Sequence, residues 1–84
     1  MQITVYTTTT SPYCKTLEDY LEERNFSFTE KIIDQDDAAK EEMIKESGGF
    51  LGVPFTVIVK DDGVKVAIIG FDKGKINETL GIQK

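Results

Sequence analysis

Residues 3–21 read ITVYTTTTSPYCKTLEDYL, and this stretch predicts a first strand, a turn and a first helix. Ile3 and Val5 alternate with Thr4 and Tyr6, as in a strand whose two faces differ. Ser11 is a good helix N-cap, and Pro12 suits the first helical position because its missing N–H has no partner there. The side chains that follow with helical spacing are Tyr13, Leu17, Tyr20, Leu21 and the stem of Arg24. We expect this helix to end near residue 25.

A second strand and a second helix are predicted next. Residues 26–33 suggest a strand, because Phe26 and Phe28 alternate and the run ends in two isoleucines. Three acidic residues are N-cap candidates for the following helix: Asp34, Asp36 and Asp37. The apolar positions of that helix are Ala39, Met43 and Ile44. The helix is predicted to end at Gly48-Gly49.

The last third of the chain predicts a hairpin and a third helix. Residues 55–59 and 64–69 are predicted strands joined by the turn Asp62-Gly63, and a helix that buries Ile76 and Leu80 follows Asp72. The opening strand–helix–strand unit implies a right-handed parallel crossover, and the hairpin adds an antiparallel edge. The expected fold is α/β over residues 1–84, in the order β-α-β-α-β-β-α. It has a four-stranded mixed sheet with helices on both faces.

Composition excludes several classes of function. A chain of 84 residues with 39% hydrophobic and 30% charged residues is expected to fold as one small globular domain. Its formal charge of −5 argues against a general nucleic-acid binder. No apolar run approaches the roughly 20 residues that span a bilayer, and no signal peptide is evident, so we expect a cytoplasmic protein with no membrane partner. With one cysteine and no histidine, neither an internal disulfide nor a Cys/His metal site is expected.

Residues 11–14, Ser-Pro-Tyr-Cys, are the main candidate for chemistry. In a Cys-x-x-Cys helix start, the first cysteine attacks a substrate disulfide as a thiolate that the helix N-terminus stabilises, and the second resolves the intermediate. Ser11 cannot take the first role, because its hydroxyl has no histidine base and forms no disulfide. The structural alternatives are an N-cap for Ser11 and a small, partly buried helix residue for Cys14. Tyr13 either lies exposed over the motif or packs on the helix.

Two further segments are candidates for binding. Pro54 directly precedes a predicted strand, a position tolerated at a sheet edge, and a cis bond there would let the Val53 backbone pair with an extended peptide. A trans proline in an ordinary loop is the alternative. Gly70-Phe71-Asp72 precedes the last helix, whose N-terminus can seat a carboxylate, with Lys73 and Lys75 nearby. A simple turn followed by an Asp cap is the alternative.

Together these segments resemble the glutaredoxins from Ile3 to Leu80, and especially the short glutaredoxin-like redoxins. Residues 11–14 are similar to the Cys-Pro-Tyr-Cys of that family with the first cysteine replaced. Val53-Pro54 is similar to its Val-Pro, whose proline is cis, and residues 70–72 to the turn that holds the γ-glutamyl end of glutathione. The resemblance implies a thioredoxin-like fold, a nucleophile at position 11 and a resolving thiol at Cys14. The substrate contacts that it implies are Pro12, Tyr13, Val53, Pro54, Gly70, Phe71 and Asp72.

The resemblance also implies an activity and partners. The activity is reduction of protein or glutathione mixed disulfides, as part of electron transport and cell redox homeostasis. The electrons come from glutathione or from a thioredoxin reductase, no metal takes part, and a monomer is expected. Glutathione users place a polar or basic residue where this chain has Leu51, which leaves the redoxin branch open.

Three hypotheses follow for this chain. In the first, position 11 of a dithiol enzyme has been altered or natively holds cysteine or selenocysteine, so that the chain with Ser11 is inactive. An ordinary serine codon in the source gene would contradict that hypothesis. In the second, the chain is a non-catalytic module that binds peptides or glutathione. In the third, Cys14 alone is a slow target for glutathionylation.

Overall fold

The computed structural model describes residues 1–9, 12–49 and 52–81. Within them the elements follow the predicted order. The strands are β1 (Gln2–Thr7), β2 (Thr29–Ile32), β3 (Phe55–Val59) and β4 (Lys65–Ile69), and the helices are α1 (Pro12–Glu23), α2 (Asp37–Ser47) and α3 (Lys73–Leu80). No helix in these ranges is both long and apolar enough to cross a membrane.

The strands form one mixed sheet in the order β2-β1-β3-β4, which confirms the predicted α/β architecture. β1 pairs in parallel with β2, in the register Thr4↔Thr29, and antiparallel with β3, in the register Tyr6↔Phe55. The hairpin partner β4 is an edge strand, as expected. β3, in contrast, is a central strand, and Pro54 directly precedes it. The proline is tolerated because it precedes the first strand residue, where its missing N–H removes no ladder bond.

Both faces of the sheet are covered by helices. One buried cluster joins the sheet to α1 and α3: Ile3, Val5, Leu17, Tyr20, Leu21, Ile58, Ile68, Ile76 and Leu80. The other joins the opposite face to α2 and the end of β2: Tyr6, Ile33, Ala39, Met43, Phe55 and Val57. The two-residue period of a strand places Val5 and Tyr6 in different clusters, as the sequence predicted.

The second helix is capped by one of the three acidic candidates. The side chain of Asp36 accepts from the backbone N–H groups of Ala38 and Ala39, while Gly48 ends the helix with a left-handed φ of 72°. Glycine adopts that conformation without steric cost, which makes it a common helix stop. Asp34 is not the cap. Its carboxylate accepts hydrogen bonds from Thr9 instead.

One strand boundary and one core residue differ from the prediction. The second strand begins at Thr29 and not at residue 26, because the Phe26 N–H donates to the Leu21 carbonyl at 3.0 Å and so belongs to the end of α1. Phe26 and Phe28 pack against the cluster beneath α1 and α3. Ile44 is 38% exposed and not part of the core. Ala39 and Met43, four residues apart, form the buried side of that helix.

Candidate active site

Five of the predicted contact residues line one groove. Its volume is about 260 Å³, and its walls are Tyr13, Val53, Pro54, Gly70 and Phe71. These residues come from the start of α1, the segment before β3 and the segment after β4. The fold therefore brings together three segments that are far apart in sequence.

A backbone hydrogen bond joins two of these segments. The Gly70 N–H donates to the Pro54 carbonyl at 2.8 Å, extending the β3–β4 ladder by one pair. Gly70 has a left-handed φ of 71°, which lets the chain leave the ladder and turn towards α3. The Val53-Pro54 peptide bond is cis, as the resemblance implied and against the alternative of an ordinary trans proline. The floor of the groove is thus continuous with the sheet.

The first helix contributes an exposed ring and a buried thiol. Tyr13 is 64% exposed, so of the two alternatives it lies over the motif and does not pack on the helix. Cys14, only 4% exposed, faces the protein interior. Pro12 is exposed beside them at the first helical position. Ser11, predicted as the nucleophile position and as an N-cap, lies outside the described residues, and so does Leu51.

Val53 offers its backbone to the groove. Within the described part of the chain, neither its N–H nor its carbonyl takes part in a backbone hydrogen bond. An extended peptide lying along the groove can satisfy both groups, as an added strand does at a sheet edge. The role that the sequence suggested for Val53 stays a prediction.

Asp72 lies beside the groove and caps a helix. It is exposed, does not line the groove, and accepts a hydrogen bond from the Lys75 N–H at 3.1 Å as the N-cap of α3. These contacts are the ones expected from the alternative interpretation, a simple turn followed by an Asp cap. A carboxylate ligand at this helix start would have to compete with the Asp72 side chain for the same N–H group.

The groove is apolar and carries no fixed charge. None of its five lining residues is acidic or basic. Lys15, the cation closest in sequence to the motif, is exposed and pairs with Asp19 at 3.5 Å. The described residues also contain no group of three or more His, Cys, Asp or Glu side chains that could hold a metal ion. The groove favours an apolar ligand over a highly charged one.

A second contact anchors the segment that leads into the motif. The Thr9 hydroxyl donates to Asp34 Oδ2 at 2.7 Å, and the Thr9 N–H donates to the same oxygen at 3.2 Å. The hydroxyl bond is the main reason why the pKa of the Asp34 carboxyl is lowered. The chain after β1 is thereby tied to the chain after β2.

The sequence did not reveal the residues that support the groove from behind. The Tyr20 ring packs edge-on against the Phe71 ring, and its hydroxyl donates to Asn77. The only signal in the sequence was the place of Tyr20 in the apolar stripe of the first helix. Nothing in that stripe identifies which loop the ring will contact.

Comparisons with known proteins converge on one family. The Glutaredoxin family model matches residues 3–64. An uncharacterised glutaredoxin-like 8.6 kDa protein of a rubredoxin operon in Clostridium pasteurianum is 32% identical over 78 residues, which is 93% of this chain and 96% of that protein. No function is recorded in that description, so this relative supports the family and nothing finer.

Solved structures agree with the fold. A mutant of the thioredoxin-like protein BC3987 superposes with a TM-score of 0.81 at 24% identity, over 98% of this chain and 97% of that one, and shows the fold alone. The glutaredoxin-like protein NrdH-redoxin of Escherichia coli superposes with a TM-score of 0.73 at 28% identity, covering 93% of each chain. Its structure is described as the basis of a thioredoxin-like activity profile.

Proposed function

Since this chain belongs to the glutaredoxin family, whose members are thiol-disulfide oxidoreductases, we propose that its groove presents protein disulfides to residues 11–14 for reduction. The observation that carries the proposal is the apolar groove between Tyr13, Val53 and Phe71 at the start of α1, the helix that carries Cys14. With Ser11 in place the chain binds such substrates and does not reduce them. A thiol at position 11 restores reduction.

The chemistry needs two thiols. A thiolate at position 11 attacks one sulfur of the substrate disulfide, forms a mixed disulfide and releases the other sulfur as a thiolate. The Cys14 thiolate then attacks the sulfur at position 11, which releases the second substrate thiol and leaves a disulfide between positions 11 and 14. A donor that supplies two electrons and two protons reduces this disulfide and completes the cycle.

The two thiol roles require different degrees of solvent exposure. The nucleophile must meet an external disulfide, and position 11 directly precedes the first helical residue, Pro12, where backbone N–H groups favour a thiolate. The resolving thiol needs to reach only a sulfur three residues away, at the position that directly precedes the same helix. The burial of Cys14 is compatible with that second role.

The walls of the groove favour a protein substrate over glutathione. Glutathione carries two carboxylates, and none of the lining residues supplies a cation to pair with them. An apolar peptide segment can instead lie against Tyr13 and Phe71 and pair with the Val53 backbone. The thioredoxin-like activity profile described for the E. coli relative supports the same branch, and with it a thioredoxin reductase as the electron donor.

The experiment compares this chain with its Ser11→Cys variant. Each is assayed for reduction of insulin disulfides with thioredoxin reductase and NADPH, and for reduction of a glutathione mixed disulfide with glutathione reductase. We expect turnover from the variant with the first donor, at least tenfold less with the second, and none above background from the parent. The double variant Ser11→Cys, Cys14→Ser is the matched control and should lose turnover of the intramolecular insulin disulfides.

A second candidate function is a non-catalytic binding module. One observation favours it: a peptide can bind to the groove and pair with the Val53 backbone without any thiol. This function predicts that the Ser11→Cys variant turns over with neither donor, while a peptide with apolar residues still perturbs the NMR signals of Tyr13 and Phe71. Turnover by the variant would decide for the oxidoreductase.

A further inference from the structure

We propose that Tyr20 is a positioning residue for the groove, because its ring holds Phe71 in the wall that substrate contacts. The inference rests on the proposed function, since it assigns Tyr20 a share in substrate affinity. Tyr20 does not line the groove, and it lies two helical turns after Tyr13 on the same side of α1. Helix α1 therefore supplies one lining residue of the groove, Tyr13, and contacts a second, Phe71, through Tyr20.

Tyr20 contacts Phe71 ring to ring, with a defined relative orientation. The two ring centroids lie 5.5 Å apart with an interplanar angle of 70°, an edge-to-face arrangement. Such pairs are favourable because the positive edge of one ring meets the negative face of the other. Phe71 is only partly buried, and its neighbours in the chain are Gly70 and the exposed Asp72. Phe71 also packs against the buried cluster beneath α1 and α3, and the edge-to-face contact with Tyr20 adds direction to that packing.

Tyr20 is itself held from several directions. It is 8% exposed, and its hydroxyl donates to Asn77 Oδ1 on α3, a side chain that is 6% exposed. The Arg24 guanidinium carbon lies 3.7 Å from the ring centroid, and Lys73 Nζ lies 5.4 Å from it. Both distances are in the range of cation–π contacts. Tyr20 thus contacts the turn at Phe71, the first residue of α3 and the middle of α3, which makes it a rigid support.

The hydroxyl and the ring of Tyr20 have different roles, and different substitutions can test each role. The hydroxyl bond to Asn77 contributes to stability, because Asn77 is buried and would otherwise have an unsatisfied acceptor. The ring contact positions Phe71. Tyr20→Phe removes the first and keeps the second, whereas Tyr20→Leu removes both.

The test uses both substitutions in the Ser11→Cys background, with insulin as substrate and thioredoxin reductase as donor. We expect Tyr20→Leu to raise KM about tenfold, the size of an aromatic pair contact, with kcat unchanged. Tyr20→Phe should lower the unfolding midpoint and leave KM within twofold of the parent. Tyr6→Phe is the matched control: it removes another buried tyrosine hydroxyl bond, to Glu42 on the α2 side, and should also leave KM unchanged.

Two results would overturn the proposal. One is an unchanged KM in Tyr20→Leu. The other is a KM that rises in Tyr20→Phe as much as in Tyr20→Leu, which would show that Tyr20 acts only through the stability of the fold. If Tyr20→Leu does not fold, Tyr20→Met takes its place, since it fills the site with a flexible apolar chain and no ring.

A readout without turnover separates this inference from the proposed function. In the Ser11 chain, NMR contacts between the rings of residues 20 and 71 should persist in Tyr20→Phe. In Tyr20→Leu, the NMR contacts of the Phe71 ring with the other side chains of the cluster beneath α1 and α3 should change, because the ring has lost its support. If the Ser11→Cys parent has no activity, the proposed function fails and these spectra decide whether Tyr20 positions Phe71. Unchanged contacts of the Phe71 ring in Tyr20→Leu would reject the positioning role in either case.

Discussion

Cys14 combines a position in a redox motif with a buried side chain. Its 4% exposure contrasts with the 64% exposure of its neighbour Tyr13, although the two differ by one step of 100° around the same helix. A thiol reacts with an external reagent only when the reagent can reach the sulfur in line with the attack. Burial slows such a reaction, and glutathionylation of Cys14 as a slow target stays a hypothesis.

We predict that folding protects Cys14 from alkylation. In the native chain, iodoacetamide should modify Cys14 at least about tenfold more slowly than in 6–8 M urea, where the thiol is exposed. Mass spectrometry of quenched aliquots measures both rates, and a cysteine-containing peptide added to each sample controls for the effect of urea on the reagent. Equal protein rates in the two conditions would show that Cys14 is accessible in the fold.

At the scale of elements, α1 meets the edge strand β2 through two carboxyl groups. Glu18 Oε2 is buried and accepts from no donor group in the described part of the chain, and its neighbour across the contact is Glu30. Burial is the main cause that raises the pKa of Glu18 from 4.5 to about 8, followed by the hydrogen bond with Glu30 and the charges of Glu30, Glu22 and Asp19. The two carboxyl groups can hydrogen bond because Glu18 keeps its proton at neutral pH.

The raised pKa of Glu18 makes stability depend on pH. In the unfolded chain Glu18 ionises near pH 4.5, whereas in the fold it ionises near pH 8. Between these values the folded state binds more protons, so the free energy of unfolding falls as pH rises from about 4.5 to about 8 and levels off above. Glu18→Gln keeps a neutral hydrogen-bonding group and should be more stable than the parent by about 1–2 kcal/mol at pH 9, and by less at pH 5.

Urea unfolding at pH 5, 7 and 9 measures this difference. Glu41→Gln, an exposed carboxyl on α2, is the control and should shift stability by less than about 0.5 kcal/mol at each pH. A Glu18→Gln advantage that is the same at pH 5 and pH 9 would contradict the assignment of the buried proton to Glu18.

At the scale of the molecule, two apolar clusters lie on opposite faces of one sheet. The strands link them, because β1 and β3 each send alternate side chains to both clusters. Leu17 is fully buried under α1 and Met43 is fully buried under α2. Since the same two strands serve both clusters, losing one cluster exposes the face that supports the other, and we expect one cooperative transition.

We predict that Leu17→Ala and Met43→Ala each lower the free energy of unfolding by about 2–5 kcal/mol, the cost of a cavity in a packed core. Urea unfolding followed by circular dichroism should remain a single transition with a coincident tyrosine fluorescence signal. Ile44→Ala is the matched control, because Ile44 follows Met43 in α2 but is 38% exposed, and should cost less than about 1 kcal/mol. A second transition in either core variant would show that the clusters unfold independently.

Local sequence signals were enough to predict the elements and the two sides of the sheet. The signals for these elements are local, and each acts within a few residues of the strand, helix end or turn that it specifies. They are the alternation at Ile3 and Val5, the glycines at 48–49 and the Asp62-Gly63 turn. The resemblance placed three candidate segments in order along the chain. Boundaries were less certain: residues 26–28 alternate like a strand but continue the end of α1, because a backbone bond to Leu21 is not visible in side-chain pattern.

Which of these segments meet depends on strand register and long-range packing. The groove depends on the register that sets Pro54 opposite Gly70 and on the packing that turns Tyr13 outwards and Cys14 inwards. The contacts of Tyr20 with Phe71 and of Glu18 with Glu30 join elements that are remote in sequence, so no local pattern encodes them. The physical reason is that propensities and caps act over one turn or one strand, while orientation, burial and shifted pKa values arise when distant surfaces exclude water from each other.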